Sequence, residues 1–503
     1  MTEDQSSTIA FLADPATHGL KNPVDTIETH ISVIVLAGDR AYKMKKALKL
    51  PYVDFSTAAI REEACRKEIA LNGETAPGLY LGVRRITRAS DGSLEFDGSG
   101  PLVDTAIEMV RFGQELLFDR MAVAGRLTPE LMSAAAHMIA VYHSKAPVVS
   151  TGGGAENIAA VLDINDAGFA TSHVFDPAAV AELGEAFRSK LGRHAALLDR
   201  RALAGRVRRC HGDLHLRNIC LLDGQPCLFD CIEFNAQIAT IDVLYDLAFL
   251  LMDLWYRGFP DLANLVTNRY FDETGDEDGF CLLPFLMAIR AAVRAHVTAT
   301  QAEEPGQDTG RLTKESKSYF DLAHALLEDR PARLIAIGGL SGSGKTTVAD
   351  RLAARVGAPA GARIIESDRI RKALHGVSAD TRLPASAYSP DVSRKVYQEM
   401  ARRAELILAQ GGSAVADAVF DDPLKRALIE TAAANTGVDF LGIWLDADPA
   451  LLLQRVRDRK GGQSDADANV LAGQLARNPA NITWRHVDAS MPLEDILAAI
   501  LRG

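Results

Sequence analysis

The 503-residue sequence predicts two successive domains of different class, an α+β domain with two lobes followed by an α/β domain with a parallel sheet. Two motifs and one pattern predict this. Residues 211–218 read His-Gly-Asp-Leu-His-Leu-Arg-Asn, residues 339–347 read Gly-Leu-Ser-Gly-Ser-Gly-Lys-Thr-Thr, and β-prone and helical segments alternate over about 26–110. With 48% hydrophobic residues the chain can form more than one core, since single cores stop growing beyond about 250 to 300 residues.

The domain limits follow from the motifs and from the turn-rich segments between helical patterns. We expect the first domain at residues 1–330, with its lobes at about 26–110 and about 111–327. The junction Glu328-Asp329-Arg330-Pro331 follows a helical pattern and carries turn residues. The second domain is then expected at residues 332–503.

The motif at 211–218 has the spacing H-x-D-x-x-x-x-N, and the apolar strand end Leu228-Phe229-Asp230 follows it. In kinase-type phosphoryl transfer the loop Asp accepts the proton of the acceptor hydroxyl, while the Asn and the Asp after the strand hold Mg²⁺. Asp213 is therefore the candidate catalytic base. Asn218 and Asp230 are candidate metal ligands.

The sequence His-Gly-Asp-Leu-His-x-x-Asn resembles the catalytic loop of aminoglycoside phosphotransferases, whose fold is that of protein kinases. This resemblance implies an upstream ion pair, in which Lys43 would hold the α- and β-phosphates of ATP and Glu68 would be its partner. Lys45 lies on the same strand face as Lys43, because side chains alternate along a strand. Either lysine can be the phosphate lysine, and the small Ala41 two residues earlier favours Lys43.

The first domain departs from the kinase pattern at two places. No G-x-G-x-x-G precedes the lysine, and residues 28–32 (Glu-Thr-His-Ile-Ser) stand where this phosphate cover is expected. Asp230 is followed by Cys231 rather than Gly. Both departures leave open a first domain that binds nucleotide without catalysis. The resemblance also implies that Asp246 bonds the backbone of the catalytic loop.

The motif at 339–347 fits the P-loop pattern G-x-x-x-x-G-K-[ST] and lies between the β-prone run 333–337 and the helical spacing of 347–355. Such a loop cradles phosphate because its glycines let backbone N–H groups turn inward at a helix N-terminus. The Lys reaches the β- and γ-phosphates, and the hydroxyl after it ligates Mg²⁺. Thr346 is therefore a candidate metal ligand. The candidate nucleotide-binding residues of the loop are Gly339, Ser341, Gly342, Ser343, Gly344, Lys345, Thr346 and Thr347.

Two acidic residues follow apolar runs in the second domain. Asp368 follows the run that begins at Arg363 and resembles the catalytic carboxylate that small-molecule kinases place near the acceptor hydroxyl; the alternative is a helix N-cap by Ser367 or Asp368. Asp417 ends the apolar run 413–418 in the manner of a Walker B carboxylate that orients Mg²⁺, with a turn residue as the alternative.

Arg455 and Arg459 are four residues apart and share a helix face. Arg459 is a candidate catalytic lid arginine, because a guanidinium fork matches the geometry of a transferring phosphate. The alternative is a solvated helix face.

From about residue 29 to 487 the tandem order resembles a bacterial family described as bifunctional phosphotransferase/ATP-binding proteins. The resemblance implies a bilobal protein-kinase-like domain followed by a P-loop kinase domain. The leading hypothesis is an ATP- and Mg²⁺-dependent phosphotransferase, in which the first half phosphorylates a hydroxyl of a small polar metabolite and the second is another kinase. One alternative makes the first half a regulatory nucleotide-binding module. Another makes the P-loop half a polynucleotide 5′-hydroxyl kinase.

Charge and composition limit the partners and the compartment. Residues from 332 onward carry 22 Lys and Arg against 20 Asp and Glu, a net charge of +2. Because the whole chain has a net charge of −11, the first 331 residues have a net charge of −13. An acidic first half argues against a nucleic-acid partner. The sequence shows no basic-then-apolar leader and no uncharged apolar stretch of about 18 residues, which predicts a cytoplasmic protein without a membrane span. Six cysteines without paired C-x-x-C spacing predict reduced thiols rather than zinc ligands.

Overall fold

The computed structural model describes residues 3–50, 53–149, 153–304, 306–458, 465–477 and 481–502. The chain divides into two compact units, Met1–Asn157 with Asp199–Leu250 and Ile158–Leu198 with Leu251–Gly503. The limits of these units fall within three helices and do not coincide with the junction near residue 331. A domain boundary at that junction stays a prediction.

Both units contain helices and strands. The helices are α1 (Ser6–Ala13), α2 (Ala58–Asn72), α3 (Phe118–Val123), α4 (Pro129–Lys145), α5 (Gly154–Ala170), α6 (Pro177–Leu203), α7 (Ala236–Ala239), α8 (Val243–Tyr256), α9 (Pro260–Thr274), α10 (Leu283–Ala302), α11 (Thr309–Leu327), α12 (Lys345–Ala353), α13 (Ser367–Leu374), α14 (Pro390–Ala409), α15 (Pro423–Thr436), α16 (Pro449–Asp458), α17 (Ala468–Arg477) and α18 (Leu493–Leu501). The strands are β1 (Asp25–Glu28), β2 (Ser32–Ala37), β3 (Arg40–Lys45), β4 (Lys49–Leu50), β5 (Val53–Asp54), β6 (Tyr80–Arg88), β7 (Leu94–Phe96), β8 (Leu102–Val110), β9 (Val207–Arg209), β10 (Ile219–Leu222), β11 (Gln225–Leu228), β12 (Thr240–Asp242), β13 (Arg333–Gly339), β14 (Arg363–Glu366), β15 (Ala414–Asp417), β16 (Asp439–Asp446) and β17 (Arg485–Asp488).

The main sheet of the first unit is antiparallel, with the strand order β1-β2-β3-β8-β6-β7. Both faces of β2 and β3 are covered, because α1 contributes Leu12 to a core on one face and α2 contributes Cys65 to a core on the other. Ala41 belongs to the second core. Alternation along β3 therefore places Lys43 and Lys45 on the face that α2 covers.

Helix α2 presents one buried face to this sheet. Its buried residues Arg61, Ala64, Cys65, Glu68 and Asn72 recur at helical spacing. A buried arginine and a buried glutamate need partners, since an unpaired charge is costly to remove from water. Arg61 meets this need through Asp104, with Nε to Oδ1 at 2.8 Å, and the rest of the face brings Glu68 to the lysines of β3.

The sheet of the second unit is parallel and has the strand order β14-β15-β13-β16-β17. Its inner strands are near-continuous apolar runs, as expected where helices cover both faces. Strand β13 lies at the centre and leads into the loop before α12. The register aligns Glu366, Asp417 and Ile337, so the carboxyl ends of three strands meet beside that loop.

One helical segment of the described chain, Glu277–Ala302, has the length and mean hydropathy, 1.5, of a membrane span. Of its most apolar window, 72% is buried inside the structure. A core helix has this composition too, and the burial favours that interpretation.

Candidate functional site

The motif at 211–218 forms a loop that ends in a short 3₁₀ turn at Leu216–Asn218. Asn218 Nδ2 donates hydrogen bonds to the backbone oxygen and to Oδ2 of Asp213, both at 2.9 Å. The Asp213 side chain is 39% exposed. The loop thus holds one carboxylate oxygen in a fixed direction while the group stays open to an incoming hydroxyl.

His211 ties this loop to the strand end that carries Asp230. Its Nδ1 accepts the backbone N–H of Asp213 at 3.3 Å, so Nε2 carries the proton and donates to the Phe229 carbonyl at 2.9 Å. Burial lowers the pKa of His211, which favours this neutral form. The buried imidazole therefore couples the positions of the two candidate catalytic segments.

Asp246, in the first turn of α8, binds the backbone of the catalytic loop. Its two carboxylate oxygens accept the backbone N–H groups of His211 at 3.0 Å and Gly212 at 2.9 Å. His143 Nε2 lies 3.1 Å from the same carboxylate. The backbone-bonding role predicted for Asp246 is confirmed.

Replacing Asp246 with Ala is expected to destabilise the first unit by about 3 kcal/mol or more, since two buried N–H groups lose their acceptor and each costs about 1–3 kcal/mol. Urea unfolding of the full-length variant measures this. Glu63→Ala, which removes an exposed carboxylate from α2, is the control. An Asp246→Ala protein as stable as this control would contradict the assignment.

Five buried or half-buried charged groups form an alternating row, Asp230–Lys43–Glu68–Lys45–Glu233. Lys43 Nζ contacts Glu68 Oε1 at 2.7 Å and also pairs with Asp230. Lys45 pairs with the other oxygen of Glu68 and with Glu233. Glu68 is thus shared by both lysines, and Lys43 is the one that also contacts the candidate metal ligand.

The row carries three carboxylates against two ammonium groups. Burial opposes the charge of Lys43, but Asp230 and Glu68 outweigh it and hold the pKa of Lys43 well above its usual range. Burial raises the pKa of Glu233. With all five groups ionised the row has a net charge of −1, and the raised pKa of Glu233 indicates that burial disfavours this excess negative charge.

The segment predicted to cover the phosphates forms the tip of the hairpin between β1 and β2. Thr29 N donates to the Ser32 carbonyl at 2.9 Å, and Thr29 Oγ1 accepts from Ser32 N at 3.0 Å. A closed hairpin of this kind can present backbone and hydroxyl groups without a glycine-rich sequence. Whether it covers phosphate stays a prediction.

The loop 339–344 has the backbone that its glycines permit. Gly342 and Gly344 have φ of +87° and +85°, in the left-handed region that disfavours other residues. A Cβ on Gly342 would lie 2.6 Å from the Leu452 carbonyl oxygen. The loop therefore needs glycine at this position for both its conformation and its packing.

The polar groups of this loop converge at the start of α12. Lys345 Nζ donates to the Leu340 carbonyl at 3.1 Å, so its side chain folds back over the loop. Thr346 Oγ1 donates to Asp417 Oδ2 at 2.7 Å. Within the described chain the buried Ser343 Oγ has no hydrogen-bond partner. Thr347 is exposed.

Three carboxyl groups gather where β14 and β15 end. Burial, together with the neighbouring Asp417, raises the pKa of Glu366 to about 8, and burial raises that of Asp417 to about 6. The Asp368 charge raises both. Glu366 itself occupies the N-cap position of α13. The alternative that Ser367 or Asp368 caps this helix is therefore wrong, and Asp368 lies in its first turn.

The arginine helix α16 packs beside the loop, since Leu452 and Val456 share a core with Leu340. Arg455 donates from Nη1 to the Ala489 carbonyl at 3.0 Å. Arg459 lies outside the described residues, so its role as a lid arginine stays a prediction.

Two family models match the chain in the order that the sequence predicts. Residues 174–285 match the model described as a phosphotransferase enzyme family, and residues 334–480 match the model described as an AAA domain. An uncharacterized protein of Mycobacterium tuberculosis is 31% identical over 486 residues, which cover 94% of this chain and 93% of that protein. The chain belongs to this two-domain family. Its predicted fold class, a bilobal α+β kinase-like domain followed by an α/β P-loop kinase domain with a parallel sheet, is confirmed.

Other similar proteins match one part of the family's arrangement. A shikimate kinase of Paramagnetospirillum magneticum is 33% identical over 161 residues, which cover 31% of this chain and 74% of that enzyme. A solved choline/ethanolamine kinase family protein from Mesorhizobium loti is 16% identical and covers 64% of this chain and 94% of its own, with a TM-score of 0.42. A solved gluconokinase from Sinorhizobium meliloti is 22% identical and covers 35% and 92%, with a TM-score of 0.26.

Sequence reasoning missed three residues that join the segments of the kinase-like domain. Glu233 pairs with Lys45. Asn72 accepts the Cys231 backbone N–H at 3.0 Å and donates to the Glu68 carbonyl at 2.8 Å. Tyr80 accepts the backbone N–H of Asp230 at 3.1 Å. A glutamate three residues after the candidate metal ligand was a usable signal; the other two carried none.

Proposed function

We propose that the protein is an ATP-dependent phosphotransferase with two nucleotide sites, one in each half. The observation that carries this proposal is the convergence of Asp213, Asn218 and Asp230 with the Lys43–Glu68 pair in the first unit. A module that only binds nucleotide has no need of a positioned, half-exposed carboxylate at Asp213. The P-loop with Thr346 and Asp417 supports the second site.

The donor set of the first half fits Mg²⁺ and ATP. Asn218 and Asp230 offer the oxygen ligands that Mg²⁺ prefers, and the excess negative charge of the row is what a divalent cation would offset. When bound, Mg²⁺ neutralises charge on the phosphates. Lys43 would give up its contact with Asp230, bind the phosphates of ATP instead and keep its ion pair with Glu68. Asp213 would orient the acceptor hydroxyl and take its proton.

The second half fits the same pair of ligands. The buried Ser343 Oγ and the backbone of the loop would receive phosphate oxygens, with Lys345 moving from the Leu340 carbonyl to the phosphates. Thr346 and Asp417 would hold Mg²⁺, and the cation would favour the ionised form of Asp417, whose pKa is raised by burial. Asp368, in the first turn of α13, would face the acceptor hydroxyl.

We infer that both acceptors are small polar molecules with a hydroxyl group. The similarity of the second half to a shikimate kinase supports a small-molecule acceptor there. The acidic balance of the first 331 residues supports a neutral or cationic acceptor in the first half over a polyanion.

An ADP-release screen across sugars, polyols, aminoglycosides and nucleosides tests the proposal. Lys345→Ala isolates the first site and Asp213→Ala isolates the second. We expect each variant to keep turnover with one acceptor class and lose it with another. If Asp213→Ala changed no activity while Lys345→Ala abolished all of it, the first half would be regulatory. Label transfer to 5′-hydroxyl oligonucleotides would instead assign the P-loop half to nucleic-acid ends.

A further inference from the structure

Helix α9 contacts the free edge of β14, one of the two edge strands of the parallel sheet. Asn268 Oδ1 accepts the Ile364 backbone N–H at 2.7 Å. Asn264 Nδ2 donates to the carbonyls of Ala360 at 2.8 Å and Ala362 at 3.0 Å. One side-chain amide thus satisfies a backbone N–H of the edge strand, and the other satisfies two carbonyls of the segment that leads into it. This cover comes from a helix that precedes the P-loop by about seventy residues, outside the segment 334–480 that the AAA-domain model matches.

A buried ionic cluster continues this contact along the same helix. Arg363 is 2% exposed and its Nη2 bonds Asp272 Oδ1 at 2.7 Å and Glu277 Oε1 at 3.2 Å. Burial opposes its charge, but Asp272 and Glu277 outweigh this and raise the pKa of Arg363. Asp272 Oδ2 also lies 3.2 Å from Arg369 Nη1, in α13. Asp272 therefore joins α9 to both β14 and α13.

Arg369 also contacts Glu366, the last residue of β14, which lies beside the candidate acceptor site. Its Nε donates to Glu366 Oε2 at 3.1 Å. Asp272, Arg363, Glu366, Arg369 and Arg403 line a cavity of about 30 Å³, which has room for a water molecule. The direct links across this cavity are the ion pairs Asp272–Arg369 and Arg369–Glu366, which connect α9 to α13 and to the end of β14.

One face of α13 lines this cavity, and Asp368 lies on another. Glu366, Arg369, Ile370 and Ala373 recur at helical spacing and line the cavity. Asp368 lies about 100° around the helix axis from Arg369 and is absent from that lining. Fixing one face of an eight-residue helix also fixes the direction in which Asp368 points.

We propose that Asp272 is a positioning residue of the P-loop half, which acts through Arg369 to hold α13 and with it Asp368. Helix α9 is then a built-in part of this site, although it lies in the segment assigned by sequence to the kinase-like half. The proposal rests on the proposed role of Asp368 in phosphoryl transfer.

Asp272→Asn and Arg369→Gln, each in the full-length chain, test the proposal. Arg369→Gln removes the contacts of Arg369 with Asp272 and Glu366 and leaves the Arg363–Asp272 pair in place. It therefore still tests the proposal if Asp272→Asn does not fold. Asp261→Asn is the matched control, because Asp261 on the same helix pairs with Arg351 at 2.7 Å and this ion pair is partly open to solvent, with side chains 35% and 52% exposed. The measurements are hydrogen exchange of the amides at 367–374 and Lys345-dependent ADP release from Mg·ATP.

We expect both test variants to exchange these amides about tenfold faster or more, since a charge-assisted bond to the helix is lost. We expect kcat to fall about tenfold while KM for Mg·ATP stays within about twofold, because the loop 339–346 makes no use of Asp272. Asp272→Glu should recover part of kcat. Asp261→Asn should change neither measurement.

If the amides at 367–374 exchanged in both test variants at the rate seen in Asp261→Asn, the proposal that Asp272 and Arg369 hold α13 would be overturned, whatever the activity. Faster exchange with unchanged kcat would overturn the link from the helix to Asp368. An equal loss in kcat and in nucleotide affinity would overturn positioning in favour of a general structural role. Absence of any Lys345-dependent turnover in the unsubstituted protein would contradict the proposed function instead, and the exchange measurement would still decide the anchoring.

Discussion

The Asp213→Asn variant is expected to lose about 100- to 10,000-fold in kcat at the kinase-like site while it keeps its nucleotide affinity. General-base catalysis by a positioned carboxylate contributes about this much. An amide has the size of the carboxylate and can still accept the hydrogen bond from Asn218 Nδ2, so the loop keeps its shape. It cannot take a proton from the acceptor hydroxyl. Turnover is measured in the Lys345→Ala background, where the first site acts alone.

Asp223→Asn is the matched control for this variant. Asp223 is exposed in the two-residue turn between β10 and β11, five residues after Asn218, and has a φ of +49°. Asparagine tolerates that conformation, so the control changes the same charge close to the site without strain. Asp213→Asn turnover within threefold of the control would remove Asp213 from the catalytic role.

The motif at 211–218 was readable from sequence because its partners are local. Asp213 and Asn218 are five residues apart, and the bond between them closes within one loop. The kinase-like and P-loop folds were readable for the same reason, since each motif demands a strand, a loop and a helix in fixed order. Long-range partners are different. Lys43 and Lys45 could not be separated by spacing, and the structure shows the physical cause: both contact Glu68.

The contacts between α9 and β14 were beyond sequence reasoning. Asn264 and Asn268 follow no motif, and asparagines four apart on a helix usually face water. Arg363 begins an apolar run in the sequence, yet its guanidinium is among the most buried in the described chain. Its partners Asp272 and Glu277 lie more than 80 residues away. Pairing over such distances depends on how helices pack on a sheet, which local patterns do not encode.

The Lys345→Met variant is expected to lose about 100- to 1,000-fold in kcat/KM at the P-loop site. A preorganised donor aimed at the charge of the transition state is worth about this factor. Lys345 is the first residue of α12, and its ammonium already reaches back to the Leu340 carbonyl over the loop. Methionine keeps the length of the chain but offers neither charge nor donor, so both the affinity for Mg·ATP and kcat should fall.

Turnover of this variant is measured in the Asp213→Asn background, with fluorescence titration of a nucleotide analogue for affinity. Lys395→Met, at an exposed position of α14, makes the same substitution in the same half and should leave both unchanged. The fold of the loop itself depends on Gly342 and Gly344 rather than on Lys345, because the glycines hold the left-handed backbone. A Lys345→Met protein should therefore unfold at the same urea concentration as the control. Full activity in such a folded protein would mean that the ammonium serves only to close the loop at Leu340, and that another cation meets the phosphates.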